Sequence, residues 1–296
     1  MKWICFFSFL FLFTSCRAQQ DTASMQTNTD DNTLLWEISG NKLASPSYLY
    51  GTFHLLCRSD INFSSNMKKA VAQAKEVYME LDMDDPSVLF GAMLLMNMKE
   101  GKQLKDLFSP EEYARLTHFF KDSLHMSLGM FQTMKPVFLE SLLYPKMLPC
   151  KTTSGVEEEL IKLAKQNKKE IQGLETMAFQ ASVFDSIPYE EQAKELLKTI
   201  DSLAAYRRYF DTMITVYKTQ QLKAINDMFS KTEFGMDEHQ DILLDNRNKN
   251  WIGQLKAIMK KEPVFVAVGA GHLVGEKGLI ALLKKEGYVL RPIANK

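Results

Sequence analysis

The strongest constraint on this chain is P-V-F-V-A-V-G-A-G-H-L-V-G at residues 263–275. Residues 264–268 form an unbroken apolar run, mostly β-branched or aromatic, which reads as a strand covered on both faces of a parallel sheet. Gly269 and Gly271 then let the backbone turn tightly, so His272 stands where the chain leaves the strand's carboxyl end. The pattern recurs far upstream in S-Y-L-Y-G-T-F-H at 47–54, which ends on His54. A chain with a strand and G-x-x-H near each end must bring its two halves onto one sheet for those strands to be covered.

Composition sets the surroundings. The 46% hydrophobic and 24% charged content is that of a globular domain, and 36 basic residues balance 36 acidic ones. That balance supplies no field for nucleic acid or an acidic membrane surface, and no nucleic-acid partner is expected.

Residues 1–18 read as an export signal: Lys2 precedes a short apolar run from Trp3 to Phe13, too short to span a bilayer. L-F-T-S-C at 12–16 resembles a bacterial lipobox, which would make Cys16 the lipidated residue; ordinary cleavage after Ala18 is the alternative. Residues 19–33, rich in Thr, Asp, Asn and Gln, read as a disordered tether unable to bury anything. The expected location is the periplasm or the bacterial envelope, with membrane contact only through a lipid anchor. Cys57 and Cys150 are the cysteines left in the domain; an oxidising compartment permits their pairing, but spacing does not decide it.

From Leu34 to residue 296 the chain reads as one α/β domain. The first half gives strands at 34–38 and 48–50, His54, a helix capped at Ser64, Ser65 or Asn66, and a strand at 77–82 bearing Glu80 near its end. Thr153 or Ser154 is expected to cap a further helix leading to E-I-Q-G-L-E at 170–175, which ends on Glu175. After His272, a helix through Leu279, Ile280, Leu282 and Leu283, Gly287 and a strand at 288–290 close the second half. The fold expected is α/β, two related β-GxxH-α-β halves around a central largely parallel sheet, with helical insertions at about 85–147 and 177–260. S-P-E-E at 109–112 is a helix start, and long helices are expected over 187–229 and 237–260.

In the last of these, Arg247 falls between Leu243 and Trp251 on the apolar stripe. A charge there needs a partner, either a structural carboxylate or an anionic substrate group, with Asn248 and Asn250 as weaker neighbouring candidates. Sites on open parallel sheets lie beyond the strands' carboxyl ends, where His54, His272, Glu80 and Glu175 all fall. Imidazole can ligate a metal or take a proton, and a carboxylate balances the ion's charge or moves a second proton. His118, His125 and His239 lack the glycine turn, and the methionines at 93–98 read as core packing.

Together these motifs resemble the TraB/GumN (TraB/PrgY/GumN) family, related to the TIKI proteases and more distantly to erythromycin-esterase and ChaN-like proteins. The resemblance runs through Y-L-Y-G-T-F-H at 48–54, V-Y-M-E-L-D at 77–82, G-V-E-E-E-L at 155–160, G-L-E-T at 173–176, R-N at 247–248 and V-G-A-G-H-L-V-G-E-K-G-L at 268–279. It implies a metal-dependent hydrolase, most simply a peptidase acting on a peptide or small-molecule substrate. His54, His272 and Glu80 would hold a divalent ion (Mn, Co or Zn), with Glu80, Glu175 and Arg247 as catalytic residues. No H-E-x-x-H is present, so ligands must come from distant segments. Metal-free ester hydrolysis by a His/Glu pair, and a non-enzymatic anchored protein that binds a peptide or metal, are the competing readings.

Overall fold

The computed structural model describes residues 25, 32–230 and 239–296. The expected leader with Cys16 and all but Met25, Asn32 and Thr33 of the expected tether lie outside the described residues. The strands are β1 (Leu35–Gly40), β2 (Ser47–Thr52), β3 (Leu56–Cys57), β4 (Glu76–Met79), β5 (Thr153–Ser154), β6 (Glu170–Gly173), β7 (Val264–Gly269) and β8 (Tyr288–Ile293). The helices are α1 (Ser65–Gln73), α2 (Pro86–Leu95), α3 (Pro110–Phe119), α4 (Pro136–Ser141), α5 (Tyr144–Met147), α6 (Val156–Gln166), α7 (Met177–Asp185), α8 (Tyr189–Asp201), α9 (Leu203–Thr219), α10 (Leu222–Ser230), α11 (Asn246–Lys261) and α12 (Leu279–Lys285).

Six strands form one sheet in the order β6-β4-β7-β2-β1-β8, and β3 pairs separately with β5. The pairs β6–β4, β4–β7 and β7–β2 are parallel, while β1 runs against both β2 and β8. The largely parallel sheet expected from the apolar runs is therefore present, and the two G-x-x-H strands lie side by side at its centre. Alternation along β7 builds both layers of the core. Val264, Val266 and Val268 pack with Trp251, Leu255 and Leu283, whereas Phe265 and Ala267 join Met67, Ala70, Val71 and Leu160 on the opposite face. Ser64 caps α1 by accepting from Met67 N at 3.1 Å, and Ser109 and Glu112 form the capping box at the start of α3.

Several expectations need correction. The tether is not without buried residues: Met25 and Thr33 are both covered, and Thr33 Oγ1 donates to Ile293 O at 2.7 Å. Thr153 and Ser154 do not cap α6; they pair with Leu56 and Cys57, and Gly155 takes the cap position. The long helix expected over 187–229 is divided into α8, α9 and α10. Gln220 accounts for the second break: its backbone turns left-handed (φ 58°), and its buried side chain accepts from Leu34 N at 3.0 Å and donates to Asn295 O at 2.7 Å. The helix expected over 237–260 begins among residues outside those described; where described it is present, running from Gln240 through a π-helical stretch at Asp241–Asp245 into α11. Cys57 and Cys150 are joined in a disulfide with Cα atoms 5.8 Å apart.

The two helical insertions are tied by a buried ammonium. Lys135, 1% exposed, donates to Asp185 Oδ1 at 2.8 Å and to the carbonyls of Leu95 at 2.8 Å and Ala181 at 3.3 Å. Burial alone would raise the pKa of Asp185, but hydrogen bonds from Lys135, Tyr189 and Lys99 outweigh it and the net shift is downward. Asp185→Asn leaves Lys135 charged and under-paired, and about 3 kcal/mol of stability should be lost at neutral pH. Because the folded pKa is the lower one, this contribution is present above the unfolded value of about 4 and disappears as pH falls through the folded value. Urea midpoints for wild type and Asp185→Asn should accordingly converge in acid; a difference below about 1 kcal/mol at neutral pH contradicts the assignment.

Candidate active site at the carboxyl edge of the sheet

Four adjacent parallel strands deliver one site residue each. Following the sheet order, Glu175 lies just beyond β6, Glu80 just beyond β4, His272 beyond β7 and His54 beyond β2. The two G-x-x-H turns also pack on each other: a Cβ at Gly51 would stand 3.2 Å from Ala270 Cα and 3.0 Å from a Leu34 methyl. A side chain there would separate the motifs, which explains the glycine physically.

Arg247, on the buried face of α11, is the hub. Its Nε donates to Glu175 at 3.0 and 3.2 Å, and its Nη2 donates to Glu175 Oε2 at 2.8 Å and to Glu80 Oε2 at 2.5 Å. Nη1 donates to Leu243 O at 3.0 Å and faces His272 Nε2 at 3.2 Å. Every nitrogen of the guanidinium is therefore engaged by the protein itself, and two carboxylates are among its partners. Glu175 has both oxygens on Arg247 and works as its holder. Glu80 is further fixed by the Gly269 N–H at 2.9 Å and by Gln180 Nε2 at 3.3 Å. Burial would raise the pKa of Glu80, but His272, Arg247, His54 and the Gly269 N–H together bring it down to about 2, so it stays ionised.

The state of His272 follows from Asn248. The Asn248 amide nitrogen donates to the carbonyls of His272 at 3.3 Å and Lys277 at 3.0 Å, which fixes the amide's orientation. Its Oδ1 thus faces His272 Nδ1 at 2.7 Å, and an oxygen that can only accept requires Nδ1 to carry the proton. The lone pair is left on Nε2. Burial, helped by Arg247 and His54 and opposed by Glu80, lowers the His272 pKa to about 3, so the ring is neutral near neutral pH. Trp251 supports the arrangement from one turn along α11, with its ring 4.5 Å from that of His272 and 5.0 Å beneath the Arg247 guanidinium.

His54 is held in the same manner by a different partner. Its Nδ1 lies 2.8 Å from Glu157 Oε1, in the first turn of α6, where the helix N-terminus favours a negative charge. Glu157, the largest influence, raises the His54 pKa above its ordinary value, and because the ring is 77% exposed water screens this pull and burial does little to oppose it. The pair depends on a close approach of two loops. Val156 N donates to Phe53 O at 3.0 Å, and a Cβ at Gly155 would lie 2.8 Å from His54 O.

The structure thus gathers Glu80, Glu175, Arg247 and His272 into direct contact, and places His54 at the neighbouring strand end with Glu157. Glu157, Gln180 and Trp251 are additions that the motifs did not single out. For Glu157 a signal existed, an acid directly after G-V at a helix start, whereas nothing local marks Gln180. His118 pairs with Asp122 at an exposed helix end and His239 with Glu191.

The donors suit a divalent ion in kind. Two imidazoles have Nδ1 anchored to an acceptor, which leaves Nε2 as the ligand atom, and Glu80 Oε1 lies 3.8 Å from His272 Nε2. Among the described residues, no three His, Cys, Asp or Glu groups stand close enough to grip one ion as they are.

A sheet whose central parallel strands end in paired G-x-x-H turns, with glutamates and an arginine between them, defines a particular class of α/β protein. The chain belongs to the TraB/PrgY/gumN family, whose profile matches residues 34–292. Among curated proteins it is similar to Metalloprotease TIKI1 of Danio rerio, 24% identical over 90% of this chain and 65% of that protein. It also resembles Metalloprotease TIKI1 of Homo sapiens (22% identical; 87% and 61% covered) and the Metalloprotease TIKI homolog of Nematostella vectensis (22%; 87% and 66%). The chain therefore spans about two thirds or less of these relatives' length. No solved structure matches it.

Proposed function

We propose that the chain is a metal-dependent hydrolase of peptide bonds, exported and held at the cell envelope. The observation that carries this reading is the shared anchoring of the two rings, His272 Nδ1 on Asn248 and His54 Nδ1 on Glu157, which presents two Nε2 atoms as ligands. The similarity to proteins named metalloproteases supports it.

In this reading His54, His272 and Glu80 hold the ion. Mn, Co and Zn all remain candidates, and the bound ion supplies an acidified water and a Lewis acid for the scissile carbonyl. The protein's own residues do the rest. Asn248 and Glu157 orient the two imidazoles through Nδ1, Trp251 packs its ring against that of His272 at a 45° tilt, and the Gly269 N–H with Gln180 holds the Glu80 carboxylate in place. Metal-free catalysis is less well served. His272 Nε2 is occupied by Arg247 and is not placed as a free base. The raised His54 pKa bears on both readings alike, because its Nε2 must give up a proton before it acts as base or as ligand.

The test is hydrolysis of a mixed peptide library by chelated protein to which Mn, Co or Zn is restored. Turnover should return with one of the ions and fall by about 10- to 100-fold in Asn248→Ala, whose His272 loses its tautomer lock. Equal turnover with and without chelation in wild type would sink the metal reading.

A further inference from the structure

We propose that Arg247 is a resident counter-cation that a divalent ion must displace, so that ion binding at this site is an exchange of one cation for another. The inference rests on the metal reading above and deepens it.

An incoming ion and Arg247 share acceptors. The atoms best placed to meet an ion from this half of the site are His272 Nε2 and a Glu80 oxygen, and the guanidinium already meets both residues: Nη1 at 3.2 Å from His272 Nε2, Nη2 at 2.5 Å from Glu80 Oε2. A lone pair accepts from one N–H or binds one ion. An ion ligated by His272 Nε2 therefore breaks the Nη1 contact, and its positive charge beside the guanidinium opposes the Nη2–Glu80 contact.

The remaining contacts show what would still hold Arg247. Glu175 takes both Nε and Nη2, and Leu243 O takes Nη1, so three acceptors survive when Glu80 and His272 are given up. Glu175 is thus the residue that retains the displaced guanidinium, a role consistent with its lying at the outermost of the four strand ends and with its 3% exposure. Before exchange the buried group holds one guanidinium and two carboxylates; the same net charge remains if Arg247 and Glu175 are neutralised together.

That equality provides the experiment, with Mn, Co and Zn as probes in calorimetric titration and thermal midpoints recorded in chelator. Arg247→Met combined with Glu175→Gln removes the competitor at constant site charge, and ion affinity should rise at least tenfold over wild type. Glu175→Gln alone removes the holder but leaves the competitor, and affinity should fall several-fold. Opposite signs are the signature, since a merely structural contribution lowers affinity in both. Unchanged or weaker binding by a folded double variant overturns the proposal, and so does unchanged or tighter binding by Glu175→Gln. If the double variant fails to fold, Arg247→Gln combined with Glu175→Gln, which keeps the site charge and leaves neutral amides in place of the ion pair, takes its place, and unchanged or weaker binding by it overturns the proposal. Absence of ion binding in wild type would instead defeat the metal reading itself, and this proposal with it.

Discussion

Arg247→Met should cost about 3–5 kcal/mol of folding stability, among the largest effects of any single substitution in this chain. The reason lies in what is left behind. Glu80 and Glu175 are 14% and 3% exposed, and both depend on the guanidinium for compensation; methionine fills the volume but supplies no charge or donor. Two buried carboxylates then remain near one another, with the Gly269 N–H and Gln180 as the contacts still made by Glu80 and none of its former partners for Glu175. A protein of this size should show a thermal midpoint lower by roughly 10 °C. Raising the proton concentration should recover part of the loss, because protonation of the freed carboxylates relieves their burial. A loss below about 1 kcal/mol at neutral pH would mean that the hub does not hold the strand ends together.

The second large effect is expected from the disulfide. Cys57 and Cys150 are 93 positions apart, and closing a loop of that length restricts the unfolded chain by about 4–5 kcal/mol in the chain-entropy account. Its position matters as much as its length. Cys57 follows His54 by three residues, and Cys150 precedes the β5 segment that leads into Glu157, with β3 and β5 paired between them. Cys57→Ser with Cys150→Ser should lower stability by about 2–4 kcal/mol and also let the two loops part. The titration of His54, followed by imidazole NMR, should then move down toward its ordinary value as Glu157 withdraws. A His54 titration unchanged by removal of the disulfide would show that β3 and β5 hold the pair unaided.

Much of this architecture could be read from the sequence because its signals are local. The apolar run at 264–268, ended by glycine and followed by histidine, fixes strand, turn and site residue within ten positions. Glu80 and Glu175 were legible in the same way, as acids just past short strands, and Arg247 as a charge on an apolar stripe. What could not be read is set by pairings distant in sequence. Nothing near Thr153 announces that it will lie against Cys57, so a residue with good capping chemistry was expected at the cap when it belongs to a strand. Gln220 breaks a helix-forming segment because its amide is needed by Leu34 and Asn295 at the two ends of the domain. Glu157 was hidden among three consecutive acids, any of which suits a helix start, and only the fold shows which of them meets His54.

The central claim is that two imidazoles from opposite ends of the chain offer Nε2 to one ion. The most direct measurement is calorimetric titration of the chelated protein with Mn, Co and Zn, carried out in parallel on wild type, His54→Ala and His272→Ala. One of the ions should bind wild type at a single saturable site, and both variants should lose that binding by at least about 100-fold, since each removes a whole ligand. Binding that is unchanged in either variant, or absent from wild type with all three ions, would contradict the account.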